Sequence, residues 1–214
     1  SQPGNSAVAS VGVYGPMVIT ATNSAKAAGA QYAATTGASI AVAAMVTAAT
    51  ELSNSVKDML QKGATRIVVS NLPDVSLTPY ALRTVTVTNG VTDNSSQRLV
   101  LAMTEAFNAK LKADLTGLSG VLFVDVFTEN QRQVANPAQF GLKNVTDTAC
   151  NLNDGVNPLA TAKKEGSSLA CNTSNLIAGD SSRYLFADSV HPTPYGHKLL
   201  AQLITKELVI AGWL

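Results

Sequence analysis

Two histidines occur in the chain, His191 and His197, and the first stands in the run Phe186-Ala187-Asp188-Ser189-Val190-His191-Pro192-Thr193. A carboxylate three residues before a histidine, in a loop, can turn onto the imidazole Nδ1, fix the tautomer and leave Nε2 free as a base. With 14 acidic residues in 214, chance alone puts a carboxylate there about one time in fifteen, so the spacing gains weight only from its surroundings. Those surroundings are a loop just ahead of a capped helix, at the edge where open α/β sheets place their sites. The chemistry such a pair serves is proton transfer to and from a nucleophile, with His191 as base and Asp188 as its orienting partner. Ser181 lies ten residues before His191, but it follows a polar loop instead of a buried strand. It therefore lacks the strand-to-helix turn that exposes a nucleophilic hydroxyl, and it reads as a loop residue. His197 falls in the first turn of the last helix and reads as a packing or capping residue. Asp188, His191 and His197 lack a fourth ligand, so no metal is implied.

Cys150 and Cys171 bound a stretch rich in Asn, Gly, Ser and Thr. They can be read as two unpaired thiols buried as small hydrophobes, or as a disulfide. Polar surroundings, no CxxC spacing and no nearby histidine favour the disulfide, and with it an oxidising compartment.

The elements that must hold these residues are partly visible in the apolar pattern. Met45, Ala48, Leu52, Val56 and Leu60 recur at helical steps from Ser39 on, and Gly63 supplies the stop. Arg66 to Ser70 follows as a continuous apolar run, the signature of a strand buried on both faces. Asn89-Gly90 inside Thr84 to Thr92 is a hairpin signal. Asn94 with Gln97 resembles a capping box ahead of the helix marked by Leu99, Met103, Phe107, Leu111 and Leu115. Gly120 to Val126 is a second buried strand, and a short helix over Glu129 to Ala135 precedes Asn136-Pro137. Thr193-Pro194 opens the last helix with a cap and a proline at its first position. Residues 1–36 give no steady period beyond a short helix around Ala21 to Ala34, and are read as irregular. Two buried strands fall short of the roughly four to six of a wound sheet. Half a sheet is missing unless weak strands lie in Val8 to Val13 or Val85 to Val91.

The chain is one domain's length, 1–214, with 15 basic against 14 acidic side chains and 46% hydrophobic residues. A net charge of +1 and no basic cluster among aromatics give no footprint for nucleic acid. Charged residues at 14%, against a typical ~25%, suit a secreted or periplasmic protein. The longest clean apolar run, Ile40 to Val46, is far below the roughly 20 residues of a bilayer span, so no transmembrane segment is expected. Ser1 to Ser6 form neither a start nor a signal peptide, which points to a processed precursor or a fragment.

The block Asp188 to Thr193, followed by Gly196-His197, resembles the last sequence block of the SGNH (GDSL-type) hydrolases. Arg66 to Asp74, RIVVSNLPD, is similar to the penultimate strand and following loop of secreted bacterial GDSL lipases. Asn136-Pro137, Gly141 to Cys150 and the loop to Cys171 resemble the same branch, so the likeness covers residues 39–214. It implies a flavodoxin-like three-layer α/β/α fold with a parallel sheet, to which this chain supplies the C-terminal strands and helices. It implies hydrolysis of an acyl ester or lipid by a Ser-His-Asp triad, with Asp188 and His191 as two of its members. Leu72, Pro73 and Val190 would line the substrate pocket, and no metal or organic cofactor is called for. The family's nucleophile and oxyanion blocks do not occur in their expected places. Gly179-Asp180-Ser181 spells the nucleophile triplet, but in the wrong context. The partner implied is therefore an N-terminal segment of the same precursor carrying the serine. The alternative is a secreted binding or interaction module that keeps the fold without the chemistry, and a Gly-Asp-Ser after a buried strand upstream of Ser1 would decide against it.

Overall fold

The computed structural model describes residues 15–160 and 166–214. The chain divides into two units, Ser1–Ala41 and Val42–Leu214, where the sequence reads as one domain. In the first unit Gly15–Tyr32 is a helix, α1, with no buried residue, continued by a π-helical turn over Ala33–Gly37. Over the described residues this replaces the irregular segment expected up to residue 36 and extends the short helix read around Ala21 to Ala34 toward the N-terminus; Val8 to Val13, the alternative place for a weak strand, lies outside the described residues. By length and composition the helical stretch Gly15–Gln61 is sufficient to cross a membrane, although no single apolar run predicts one. Thr, Ser, Gly, Asn and Gln interrupt the apolar runs there, and no charged residue stands between Lys26 and Glu51.

The second unit is built on helix α2, Ala38–Gln61, whose C-terminal part buries Ala49, Ser53 and Val56. It lies with helix α4, Ser95–Leu115, over the strand β1, Ile67–Ser70, where Val56, Val69, Phe107, Leu111 and Leu115 close one core. Ser53 Oγ donates to Asp114 Oδ2 at 2.8 Å and ties the two helices. β1 pairs in parallel with β4, Val121–Val124, in the register Ile67↔Val121 to Ser70↔Val124. Val69 is buried but Val68 is 40% exposed, so β1 is covered on one face, not the two that its apolar run predicts. The reason is that α2 and α4 lie on the same side of it.

Beyond β1, a single turn of helix, α3 (Pro79–Arg83), precedes the antiparallel hairpin of β2, Thr86–Thr88, and β3, Val91–Asp93. Asn89 (φ 51°) and Gly90 (φ 78°) form its turn with both central residues left-handed, as the Asn-Gly signal requires. The capping box at Asn94 does not form. Asp93 accepts from Ser95 N instead, and Gln97 Nε2 is drawn away to Ser76 O at 2.9 Å. Helix α5, Val126–Ala135, follows β4 with Asp125 as its cap. A second parallel pair, β5 (Asn144–Thr148) with β6 (Tyr184–Phe186), was not legible in the sequence. Helix α6, Pro194–Ile210, packs Leu199 on Leu185 and Phe186 of β6 in a second core. The disulfide Cys150–Cys171 joins the ends of the polar loop, and among the described residues no cysteine is free.

Gly120 leads into β4 at φ +81°, and a Cβ there would stand 2.7 Å from Thr65 O. Gly120→Ala is expected to lower stability by roughly 1–3 kcal/mol, read as a lower urea midpoint with an unchanged slope.

Candidate active site

The chain leaves β6, turns at Ala187 to Pro192 and doubles back. Ala187 N donates to His191 O at 2.8 Å, and Thr193 N donates to Leu185 O at 2.9 Å. Thr193 then caps α6, its Oγ1 accepting from Gly196 N at 3.0 Å. Gly196 is required at this approach, since a Cβ would meet Leu185 O at 2.8 Å and Pro192 Cβ at 2.9 Å. From the other side α3 holds the same turn. Tyr80 N donates to Ser189 O at 2.9 Å and Arg83 Nη1 to Ser189 Oγ at 3.3 Å.

Inside the turn the Asp188 side chain is fully buried, while the His191 side chain is 64% exposed. His191 Nδ1 lies 2.8 Å from Asp188 Oδ2 and 3.0 Å from Oδ1. Oδ1 accepts the backbone N–H groups of Val190 (3.0 Å) and His191 (2.8 Å), and Oδ2 accepts Ser168 N–H at 2.7 Å. Burial works to raise the Asp188 pKa, but the backbone donors and the imidazole outweigh it and hold the carboxyl below its ordinary 3.8. An ionised carboxylate at Nδ1 keeps the proton on that nitrogen, so the lone pair of Nε2 is free on the exposed ring. Among the described residues no serine hydroxyl hydrogen-bonds the imidazole.

Pro73 and Val190 come together on the wall of a cavity of about 190 Å³ with Leu185, Pro192 and Leu200. Leu72 does not join them. Asn108 clamps the Leu72 backbone through both of its amide atoms, at 2.9 Å each, and the Leu72 side chain packs into the α2–α4 core. Asn130 lines the same cavity, and its Oδ1 is, among the described residues, the one buried side-chain acceptor without a partner. Ser181 is buried and lines a separate cavity with His197 and the disulfide, on which His191 does not border. Among the described residues no group of three His, Cys, Asp or Glu is placed to hold a metal ion.

The sequence pattern missed the residues that lock the strand ends beside this loop. Asn71, after β1, donates through Nδ2 to Asp125 Oδ1 at 2.8 Å and accepts Phe127 N–H at 3.0 Å, tying the ends of β1 and β4 together. Asp74 accepts Gln131 Nε2 at 2.8 Å and so fixes the Leu72-Pro73 loop to α5. Asn71 and Asp125, each directly after its strand, carry the signal that marks the first of these ties.

Comparison with known proteins agrees with this architecture. The model of the GDSL-like Lipase/Acylhydrolase family matches residues 30–204. A GDSL esterase/lipase of Arabidopsis thaliana is 27% identical over 167 residues, 76% of this chain and 43% of the relative. Esterase EstA of Pseudomonas aeruginosa is 34% identical over 151 residues, 69% of this chain and 20% of that protein. The anther-specific proline-rich protein APG of Arabidopsis thaliana is 29% identical over 155 residues, 68% of this chain and 25% of the relative. These relatives are plant as well as bacterial, so the match does not fix a bacterial source. The chain spans less than half the length of each of them. The fold is accordingly the SGNH α/β hydrolase fold, with helices on parallel strands.

Asp188→Asn would turn an amide N–H₂ toward donors that now meet a carboxylate oxygen, at a cost of roughly 1–3 kcal/mol near neutral pH. The depressed Asp188 pKa contributes stability that is complete above 3.8 and lost as the pH falls through the lower folded value. Urea titrations at neutral and acid pH should therefore show the gap between the parent and Asp188→Asn closing on acidification.

Proposed function

We propose, from the premise that this chain belongs to the GDSL-like Lipase/Acylhydrolase family, that it is the C-terminal part of a carboxylic ester hydrolase with a Ser-His-Asp triad. The observation that carries the reading is the Asp188–His191 pair, a buried ionised carboxylate on Nδ1 and an exposed ring with Nε2 free. In this mechanism Nε2 of His191 takes the proton from a serine hydroxyl as it attacks the ester carbonyl. It then returns that proton to the departing alcohol, and the cycle repeats with water. Asp188 holds the tautomer and stabilises the imidazolium while it lasts. The acyl ester or lipid substrate rests against Pro73 and Val190, and no metal or organic cofactor takes part.

The serine belongs to a further segment of the same precursor. This is supported by the short span of the chain against its relatives and by the lack of a serine on His191 among the described residues. The two-stranded β1–β4 sheet adds to it, because each strand has an edge without a partner among the described residues, and edges of that kind take up further strands. The polar, disulfide-closed loop supports secretion to an oxidising compartment.

His191→Ala in the full-length precursor is expected to reduce turnover of short acyl esters by a factor on the order of 10²–10⁴ with folding preserved. Near-normal hydrolysis by a folded His191→Ala protein would end this reading. For the compartment, thiol titration of the denatured, unreduced protein is expected to find no free thiol, whereas two thiols would argue against secretion.

A further inference from the structure

The Asp188 carboxylate draws on donors of two origins. Val190 N–H and His191 N–H belong to its own turn and fasten Oδ1. Oδ2, the oxygen nearest His191 Nδ1, has one backbone donor, and it comes from twenty residues away: Ser168 N–H at 2.7 Å. Donors on a single oxygen hold the carboxylate at that atom alone and leave the second oxygen to tilt about it. A donor from outside the turn, on the second oxygen, removes that freedom.

The Ser168 N–H is itself held from both sides. Ser168 opens the 3₁₀ turn Ser168–Ala170, capped by Ser167 Oγ on Leu169 N at 3.2 Å. Cys171 closes the turn, its N–H reaching Ser168 O at 2.9 Å. Cys171 is joined to Cys150, whose N–H donates to Ala187 O at 2.9 Å, directly before Asp188. The disulfide thus bolts the donor to the backbone that carries the acceptor. Asn157 Nδ2 adds a bond to Ser167 O at 3.3 Å.

We propose that the Ser168 backbone N–H, anchored by the Cys150–Cys171 disulfide, is a positioning donor that sets the orientation of the Asp188–His191 pair. The importance for turnover rests on the reading that the pair is catalytic; the effect on the imidazole does not. In water a neutral imidazole carries its proton mainly on Nε2, and a fixed acceptor at Nδ1 reverses this. Loss of the Ser168 donor therefore shifts the neutral His191 ring away from the Nδ1–H form. It acts on the nitrogen that a hydrolase needs bare.

Ser168→Pro is the selective test. Ser168 is the first residue of its turn, where proline is favoured, and Ser167 before it is already extended at φ −111°, ψ 136°, as a residue preceding proline must be. The substitution removes the N–H and puts the proline Cδ against Oδ2, while the disulfide stays. The tautomer of His191 would be read from the ¹⁵N shifts of its two ring nitrogens in the full-length protein, with His191→Gln used to assign the signals. The parent is expected to hold the Nδ1–H form, and Ser168→Pro is expected to give a mixture richer in Nε2–H. Reduction of the disulfide is expected to move the signals the same way. In the full-length enzyme Ser168→Pro is expected to lower kcat about tenfold or more at unchanged KM, as for a lost bond to a charged group. Leu169→Ala, at a side chain 91% exposed on the same turn, is expected to change neither quantity.

An unaltered tautomer in folded Ser168→Pro overturns the inference, even where His191→Ala abolishes hydrolysis. A shifted tautomer with hydrolysis intact in His191→Ala upholds the positioning role and removes the catalytic reading instead. A shift in Ser168→Pro that reduction fails to reproduce overturns the part assigned to the disulfide.

Discussion

The C-terminal half of the molecule is organised around one electrostatic demand, the burial of the Asp188 carboxylate. A charge taken fully out of water costs several kcal/mol unless its oxygens are satisfied. Here three backbone N–H groups and one imidazole satisfy them. Each donor imposes a structural requirement. The tight turn after β6 brings in Val190 and His191, the 3₁₀ turn brings in Ser168, and the exposed ring of His191 completes the set. The close approach of α6 at Gly196 and the hold of α3 on Ser189 keep that turn from opening. What protrudes from this buried charge is one ring with one free nitrogen.

A similar logic joins the ends of the central strands. Asn71 and Asp125 stand at the C-terminal ends of neighbouring parallel strands, and their side chains bond each other and the start of α5. Asp125 serves both as helix cap and as acceptor for Asn71, so the first turn of α5 and the loop after β1 cannot move apart without stranding a carboxylate. The Pro73 wall of the small cavity is therefore carried by a rigid corner. Its partner wall at Val190 hangs from the Asp188 turn. Two separate polar clamps thus define one apolar space.

Features written within a few residues were legible in the sequence, and those that depend on distant chain were not. Asp188 and His191 were readable because the carboxylate bonds its own turn. The Thr193-Pro194 cap, the Asn89-Gly90 hairpin and the periodic helices were readable for the same reason. Asn94 and Gln97 carry the capping pattern, yet a carbonyl at Ser76 outcompetes it, and no local window contains Ser76. β5 is polar and β6 has three residues, and they exist because each pairs with the other across the disulfide loop. Leu72 was expected to line the pocket with Pro73 and Val190, but Asn108 clamps its backbone and its side chain packs against the α2–α4 core, contacts made with distant chain. The donor at Ser168 is a backbone amide, which any residue but proline provides, so it left no mark on the sequence. Small polar residues hid most of the helix Gly15–Tyr32 by breaking up its apolar runs.

The cross-link between residues 21 apart divides the labour of the polar loop. Its two sulfur-bearing ends and the turn beside Cys171 are tied to the buried charge, and Asn157 reaches that turn from within. Leu152 and Asn157 are buried between these fixed points, whereas Asn153, Asp154 and Val156 are exposed. Descendants of this sequence are thus free to redecorate those three positions at little energetic penalty, while the buried pair keeps the path of the chain between them.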